Sequence, residues 1–275
     1  MTQSVLLEQI KSKKSFLCVG LDVDQDRMPL DLKDDPDSIF TFCKKIIEAT
    51  APYCVAYKPN IAFFEAFGSD GWKSLQKVMD FLNKNYPEIF TIADAKRADI
   101  GNTSVQYAKA YFKHFEFDSV TIAPYMGKDS VEPFLSYEKK HAILLALTSN
   151  DGASDFQLLK TEGKPLYEKV IEQSKKWKNA DRLMYVVGAT KAQALQKIRT
   201  LIPNSFLLIP GVGVQGGSLE EVAINGLNET CGLLVNSSRG IIYASNKSDF
   251  DQAAGEVSRG LQQRMAIHLR QKGII

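Results

Sequence analysis

Short runs of apolar residues recur along the chain and are separated by longer stretches with helical periodicity. The runs are continuously apolar rather than alternating, which is typical of strands that a parallel sheet buries on both faces. Eight runs are predicted as strands: residues 16–22, 53–59, 89–94, 119–124, 142–148, 183–188, 206–210 and 232–236.

Between these runs, apolar residues return every three or four positions, as in helices that pack one face on a core. Helices are predicted at residues 6–11, 36–50, 70–85, 102–114, 129–137, 165–177, 191–200, 218–225 and 250–271. The polar residues that follow the fifth strand, 149–164, are numerous enough to form a mobile loop, and we interpret them as a candidate lid.

Eight strands that alternate with helices predict a (β/α)8 barrel, the TIM barrel. The chain has 275 residues, and such a barrel takes about 250, so we expect one domain over residues 1–275. A doubly wound sheet is the structural alternative. It normally has fewer strands and a separate second domain, and no stretch of the sequence has the composition of a linker.

Charge gives no sign of a large anionic partner. Lys and Arg number 34 and Asp and Glu 32, for a net charge of +2 in a chain that is 44% hydrophobic. We therefore predict a small-molecule partner and neither nucleic acid nor membrane. No apolar run has the length of a membrane span, and the first residues do not resemble a signal peptide.

Cysteine and histidine usage argues against a disulfide framework or a metal site. The cysteines lie in apolar runs without CxxC spacing, which predicts reduced, buried thiols in a cytoplasmic protein. The histidines are isolated from one another, so no metal site is predicted. These residues are Cys18, Cys43, Cys54 and Cys231, with His114, His141 and His268.

Two acids and a lysine lie close together in the sequence at the carboxyl end of the predicted third strand. Residues i and i+2 of a strand point to the same side, so Asp94 and Lys96 should project together, with Asp99 just beyond. A solvated loop of paired charges is the alternative interpretation. The barrel favours a site, because active sites of this fold lie at the carboxyl ends of the strands.

Other strand ends also carry polar groups. Asp22 follows strand one, Lys58 closes strand two, Ser149 follows strand five and Arg239 follows strand eight. Polar residues at the same end of so many strands are difficult to explain by chance. They predict one active site at the mouth of the barrel.

The loop after strand seven, residues 211–216, matches the pattern GxGxxG. A dinucleotide site would need an acid at the end of the next strand, but Glu229 precedes that strand. In a barrel, the loops after strands seven and eight instead bind phosphate through backbone N–H groups. Gly213, Gly216 and Gly217 would let the backbone approach the anion, and Arg239 would add a cation. Tight turns and a surface arginine are the alternative.

The motif Asp94-Ala95-Lys96-Arg97-Ala98-Asp99-Ile100-Gly101-Asn102-Thr103 resembles the Asp-x-Lys-x-x-Asp-Ile-x-x-Thr signature of orotidine 5′-phosphate decarboxylases. The resemblance spans the chain and is strongest to the longer subgroup of that family. It also includes Asp22, Lys58, Gln215 and Arg239. The chain departs from the short subgroup in Gly101-Asn102, which replaces a Pro-Glu pair, and in residues 148–152.

The resemblance implies a decarboxylation of orotidine 5′-phosphate to UMP, the last step of UMP synthesis, without a cofactor. It implies a catalytic array of Lys58, Asp94, Lys96 and Asp99, in which Lys96 protonates C6 and Asp99 comes from the partner of a homodimer. The substrate contacts that it implies are Asp22 and Thr103 to the ribose, Ser149 to the pyrimidine, and Gln215, Gly216 and Arg239 to the phosphate.

Two other functions remain open at this point. A related phosphosugar-barrel decarboxylase or epimerase would share the Asp-x-Lys-x-x-Asp strand, but such enzymes typically need Mg²⁺ or a further acid. A non-catalytic nucleotide-binding barrel would bind UMP analogues without turnover. Turnover of orotidine 5′-phosphate in the presence of EDTA distinguishes the decarboxylase from both alternatives.

Overall fold

The predicted apolar runs form the wall of a closed barrel. The structure, a computed structural model, describes residues 1–32, 34–213 and 216–275. The strands are β1 (Leu17–Leu21), β2 (Ala56–Pro59), β3 (Phe90–Arg97), β4 (Ser119–Ile122), β5 (His141–Leu147), β6 (Leu183–Val187), β7 (Leu207–Pro210) and β8 (Leu233–Ser237). They pair in parallel in sequence order, and β8 closes the barrel on β1.

Helices surround this barrel. They are α1 (Gln3–Lys13), α2 (Ser38–Thr50), α3 (Ile61–Glu65), α4 (Gly68–Asn85), α5 (Gly101–Lys109), α6 (Lys128–Leu135), α7 (Ala153–Phe156), α8 (Leu166–Ser174), α9 (Ala192–Leu201), α10 (Leu219–Gly226), α11 (Arg239–Ile242) and α12 (Phe250–Gln271). The (β/α)8 barrel predicted from the sequence is confirmed. That residues 1–275 form a single domain stays a prediction.

Outside the barrel wall, stacked aromatic rings join helix α2 to helix α12. The ring of Phe42 in α2 stacks on Phe250 in α12, with centroids 5.1 Å apart, and on Tyr243, 5.6 Å away. Phe42 and Phe250 are buried, so these contacts exclude water from the interface between α2 and α12. The helix predicted at residues 250–271 has the same bounds in the structure.

The candidate lid has regular structure of its own. Residues 149–164 contain α7 and one strand of a hairpin, in which Lys160–Thr161 pairs antiparallel with Lys164–Pro165. Gln157 anchors the segment to the end of β5, because its side-chain oxygen accepts the backbone N–H of Thr148 at 2.8 Å. Apolar side chains at its tip are exposed, among them Phe156 at 61%. The segment is therefore partly regular, and its role as a mobile lid stays a prediction.

At the amino-terminal ends of the strands, a buried threonine and a carboxylate connect β3 to β4. The hydroxyl of Thr91 lies 3.1 Å from Asp118 Oδ2 and accepts the backbone N–H of Asp118 at 2.9 Å. Thr91 is 2% exposed. This contact fixes the register of the two strands at the end of the barrel away from the predicted site.

The four cysteines are free and buried, as predicted. Among the described residues, no helix combines the length and hydrophobicity that a membrane crossing requires.

Candidate active site

Three neighbouring strands bring two acids and two lysines together at the mouth of the barrel. Asp94 lies in β3, and its Oδ2 is 2.6 Å from Lys58 Nζ in β2. Its other oxygen, Oδ1, is 2.7 Å from Lys96 Nζ. Asp22, just after β1, lies 3.9 Å from Lys58 Nζ. We call Asp22, Lys58, Asp94 and Lys96 the lysine–aspartate cluster; it carries two positive and two negative charges.

The cluster combines burial with charge compensation. The side chains of Lys58 and Asp94 are 4% and 11% exposed, whereas that of Lys96 is 53% exposed. Burial alone would raise the pKa of Asp94, but the two ammonium groups outweigh it and hold that pKa well below its usual range. Burial alone would lower the pKa of Lys58, but Asp94 and Asp22 keep it above its usual value. Both groups are therefore charged at neutral pH.

The juxtaposition of Asp94 and Lys96 depends on an irregularity in β3. Ala93 pairs with Val120 in β4, but the next pairing joins Arg97 to Ile122, so β3 advances four residues while β4 advances two. Lys96 has a φ of +46°, in the left-handed region. The two side chains do meet, as predicted, but regular strand alternation is not the reason. A bulge turns Lys96 back over the carboxylate.

A cavity of about 180 Å³ extends from the cluster toward the ends of β7 and β8. Asp22, Lys58 and Asp94 line one part of it, and Gly211 and Arg239 line another. Its volume is below the roughly 300 Å³ of the smallest typical ligand clefts, so a larger ligand would extend out of the cavity into the open mouth of the barrel. Oδ1 of Asp22 is buried and has no hydrogen-bond partner among the described residues.

The glycine loop is tightly folded on itself. Gly211, Gly213 and Gly216 have positive φ angles, a conformation that glycine adopts without strain. In this conformation, however, three amides of the loop donate to loop carbonyls: Gly213 to Gly217 O, Gly216 to Gly213 O, and Gly217 to Gly211 O. Gln215, the predicted phosphate ligand, lies outside the described residues.

The structure does not bring the other predicted residues into the cavity. Asp99 accepts the N–H of Ile100 at 2.7 Å and forms no ion pair with a described residue. Thr103 is exposed on the first turn of α5. Ser149 lies against Gly188 at the end of β6, where an added Cβ would come within 2.7 Å of it. Among the described residues, the charged cluster at the mouth of the barrel is therefore Asp22, Lys58, Asp94 and Lys96.

Comparison with known proteins agrees with this geometry. A family model described as orotidine 5′-phosphate decarboxylase / HUMPS family matches residues 15–251. The orotidine 5′-phosphate decarboxylase of Christiangramia forsetii is 61% identical over 269 residues, which cover 98% of this chain and 99% of that protein. The chain belongs to the orotidine 5′-phosphate decarboxylase / HUMPS family.

Other members of the family support the assignment. The orotidine 5′-phosphate decarboxylase of Flavobacterium johnsoniae is 61% identical over 266 residues and is matched over 97% of both chains. The solved structure of Leishmania donovani OMP decarboxylase superposes with a TM-score of 0.81 at 36% identity, covering 97% of this chain and 100% of that one.

Two asparagines in the cavity were missed by the sequence analysis. Asn60 follows β2 and forms a backbone bridge with Asp94. Asn236 lies in β8, where its Oδ1 is 3.5 Å from the Cys18 thiol. Both lie at carboxyl ends of strands, and that position was the available signal. Among the described residues, no group of three or more His, Cys, Asp or Glu side chains is placed to hold a metal ion.

Asp94→Asn is expected to lower the free energy of unfolding by about 3–5 kcal/mol near pH 7, because buried Lys58 loses its main partner. The depressed pKa of Asp94 means that its contribution is complete above the unfolded pKa of about 3.9 and is lost as the pH falls toward the folded value. Urea unfolding of both proteins should show a constant difference between about pH 5 and 7 that narrows below about pH 4.

Asp70→Asn is the matched control. Asp70 also pairs with a lysine, Lys73, at 2.8 Å, but both side chains are exposed. Its replacement should leave the free energy of unfolding nearly unchanged at every pH. If Asp94→Asn were as stable as the parent protein, or if the difference grew in acid, the assignment of Asp94 as a stabilising buried carboxylate would be wrong.

Proposed function

We propose that the chain decarboxylates orotidine 5′-phosphate to UMP and CO2, the last step of UMP synthesis. The observation that carries this assignment is the Asp94 carboxylate held between two ammonium groups, one buried and one half exposed at the cavity mouth. The relatives named orotidine 5′-phosphate decarboxylase match nearly the full chain. Their names favour this reaction over the other activities of the family.

The chemistry needs a stabilised carbanion. When the bond from C6 to the carboxylate breaks, CO2 leaves and the electron pair stays on an sp² carbon that has no electron sink. Charge on that carbon is best stabilised by a cation already in place. The ammonium of Lys96 fills this role, then transfers a proton to C6, and the neutral amine regains a proton from water. Atoms and charge balance without a cofactor.

Asp94 has a second electrostatic effect. Its pKa is depressed, so it remains anionic when the substrate carboxylate arrives. Two like charges about 4 Å apart repel by roughly 4 kcal/mol at an effective dielectric near 20. Loss of CO2 relieves this repulsion, and the carbanion that remains lies beside Lys96.

The far part of the cavity is the proposed site of the ribose and phosphate. Among the described residues, Oδ1 of Asp22 has no hydrogen bond and only the distant Lys58 ammonium beside it, so it is available to accept a ribose hydroxyl. The exposed guanidinium of Arg239 would hold the phosphate, together with Gln215 and with the N–H of Gly216, which would exchange its bond to Gly213 O for one to the phosphate. Ser149 would contact the pyrimidine from the end of β5.

The active form is proposed to be a homodimer with a site shared across subunits. Asp99 and Thr103 lie away from the lysine–aspartate cluster of their own chain, and a partner subunit would receive them at its site. Ile100 and Val105, which flank these residues, are 58% and 43% exposed apolar side chains. A partner subunit that covered them would remove this apolar surface from water.

We also assign the chain to the longer subgroup of its family, on Gly101-Asn102 and the structured segment 149–164. The four buried, free cysteines favour the cytoplasm. The near-zero net charge of +2 argues against a nucleic-acid partner.

The purified protein should convert orotidine 5′-phosphate to UMP in the presence of EDTA, followed by the change in pyrimidine absorbance. Lys96→Ala should lose at least roughly 10³-fold in kcat, because it removes both the cation and the proton donor. Lys73→Ala, an exposed lysine outside the site, is the control and should retain full activity. No turnover by the parent protein, or turnover that depends on Mg²⁺, would reject the assignment.

A shared site predicts complementation between two inactive chains. Asp99→Ala and Lys96→Ala homodimers should each be inactive, whereas their mixture should recover up to about a quarter of the parent activity. Random exchange makes half of the dimers mixed, and one of the two sites in each is intact. Exchange is verified with tagged chains. Absence of recovery after verified exchange would exclude a site built from both subunits.

If Arg239 binds the phosphate, Arg239→Ala should lower kcat/KM for orotidine 5′-phosphate by roughly 10- to 150-fold, the usual value of a hydrogen bond to a charged group. The same change should leave the slow turnover of orotidine, which has no phosphate, almost unaffected. Arg264→Ala, at a surface ion pair with Glu220, is the control. Equal losses with both substrates would contradict the phosphate role.

A further inference from the structure

A buried threonine lies directly behind the irregular end of β3. Thr121 belongs to β4 and is 1% exposed. Its hydroxyl oxygen accepts the backbone N–H of Lys96 at 2.9 Å and lies 3.1 Å from Oδ1 of Asp94. One side chain outside the lysine–aspartate cluster thus contacts two of its members.

The direction of these hydrogen bonds follows from the acceptors. The single hydroxyl proton can go to Asp94 Oδ1 at 3.1 Å or to the carbonyl of Ala93 at 3.5 Å. The carboxylate is closer and charged, so it is the stronger acceptor. Thr121 therefore donates to Asp94 while it accepts from Lys96, and both capacities of the hydroxyl are used.

The bulge explains why these contacts matter. Between the pairings of Ala93 and Arg97, the ladder to β4 is interrupted, and the amide of Lys96 has no regular strand partner there. The positive φ of Lys96 is also unfavourable for a residue with a Cβ, and such a conformation persists only where its surroundings hold it. The hydroxyl of Thr121 supplies the acceptor that the interrupted ladder does not.

We propose that Thr121 is a positioning residue for the decarboxylation. Its hydroxyl fixes the backbone of Lys96 and the carboxylate of Asp94 in one arrangement, with Nζ of Lys96 on Oδ1 and Oδ2 left for Lys58. The inference rests on the proposed function, in which Lys96 must be aimed at the reacting carbon. Thr121 itself acts only through these two residues and contacts no substrate.

Thr121→Val removes the hydroxyl and keeps the shape and strand preference of the side chain. We expect kcat to fall roughly 10- to 100-fold, because small displacements of a catalytic group have effects of this size. KM for orotidine 5′-phosphate and the affinity for UMP should change by less than about threefold, since the ribose and phosphate contacts are untouched. Thr121→Ser, which restores the hydroxyl, should return kcat to within about fivefold of the parent value.

Thr91→Val is the matched control. Thr91 is a buried strand threonine whose hydroxyl also contacts a carboxylate and accepts a backbone N–H, but at the opposite end of the barrel. Its replacement should lower the melting temperature about as much as Thr121→Val does and leave kcat within about threefold of the parent value. A purely structural role of Thr121 predicts the same kinetic result for both variants.

The outcomes separate the inference from the function on which it rests. A parent protein without turnover rejects the proposed function and this inference with it. An active parent protein with kcat unchanged in Thr121→Val, or lowered equally in Thr91→Val, or not restored by Thr121→Ser, rejects the positioning role alone. If Thr121→Val does not fold, Thr121→Ala removes the same hydroxyl and must give the same loss of kcat at constant KM.

Discussion

The carboxylate of Asp94 is the group on which the active site depends. A charge with 11% of its side chain exposed is stable only if partners replace the water it has lost, and two lysines do so, one on each oxygen. The same pairing keeps the ammonium of Lys58 charged in an almost fully buried position. Strands β1, β2 and β3 are therefore tied at their ends by electrostatics as well as by backbone hydrogen bonds.

This arrangement divides the site into two regions with different tasks. Toward β7 and β8, the cavity offers Arg239 and an Asp22 oxygen without a hydrogen bond from any described residue, which under the proposed function would bind the phosphate and the ribose. Toward β3, it offers charges already compensated by one another. In the proposed reaction, binding energy gained in the first region would hold the reacting carboxylate against Asp94 in the second, although that contact alone is repulsive. Loss of CO2 would then relieve the repulsion as the negative charge moves to a carbon beside Lys96.

The barrel could be predicted from the sequence alone. Strands that are buried on both faces must be continuously apolar, and few folds contain eight such strands alternating with helices. The sequence was also sufficient for the members of the cluster, since strand ends converge at one mouth. The bulge at Lys96 was not predictable, because only the backbone reveals a left-handed lysine. Thr121 was overlooked because a single polar residue inside an apolar run looks like an interruption of the strand pattern, and Asn236 because it was counted only as the last residue of its strand.

The bulge also lowers the stability of β3. A regular β3 would pair fully with β4 and avoid a positive φ at Lys96, so it would be the more stable strand. It would place the Cβ atoms of Asp94 and Lys96 about 7 Å apart, and the ion pair between them would then depend on the reach of a flexible lysine side chain. The bulge and the neighbours that hold it instead fix the ammonium of Lys96 on the carboxylate, where the proposed reaction needs a cation in place before negative charge forms.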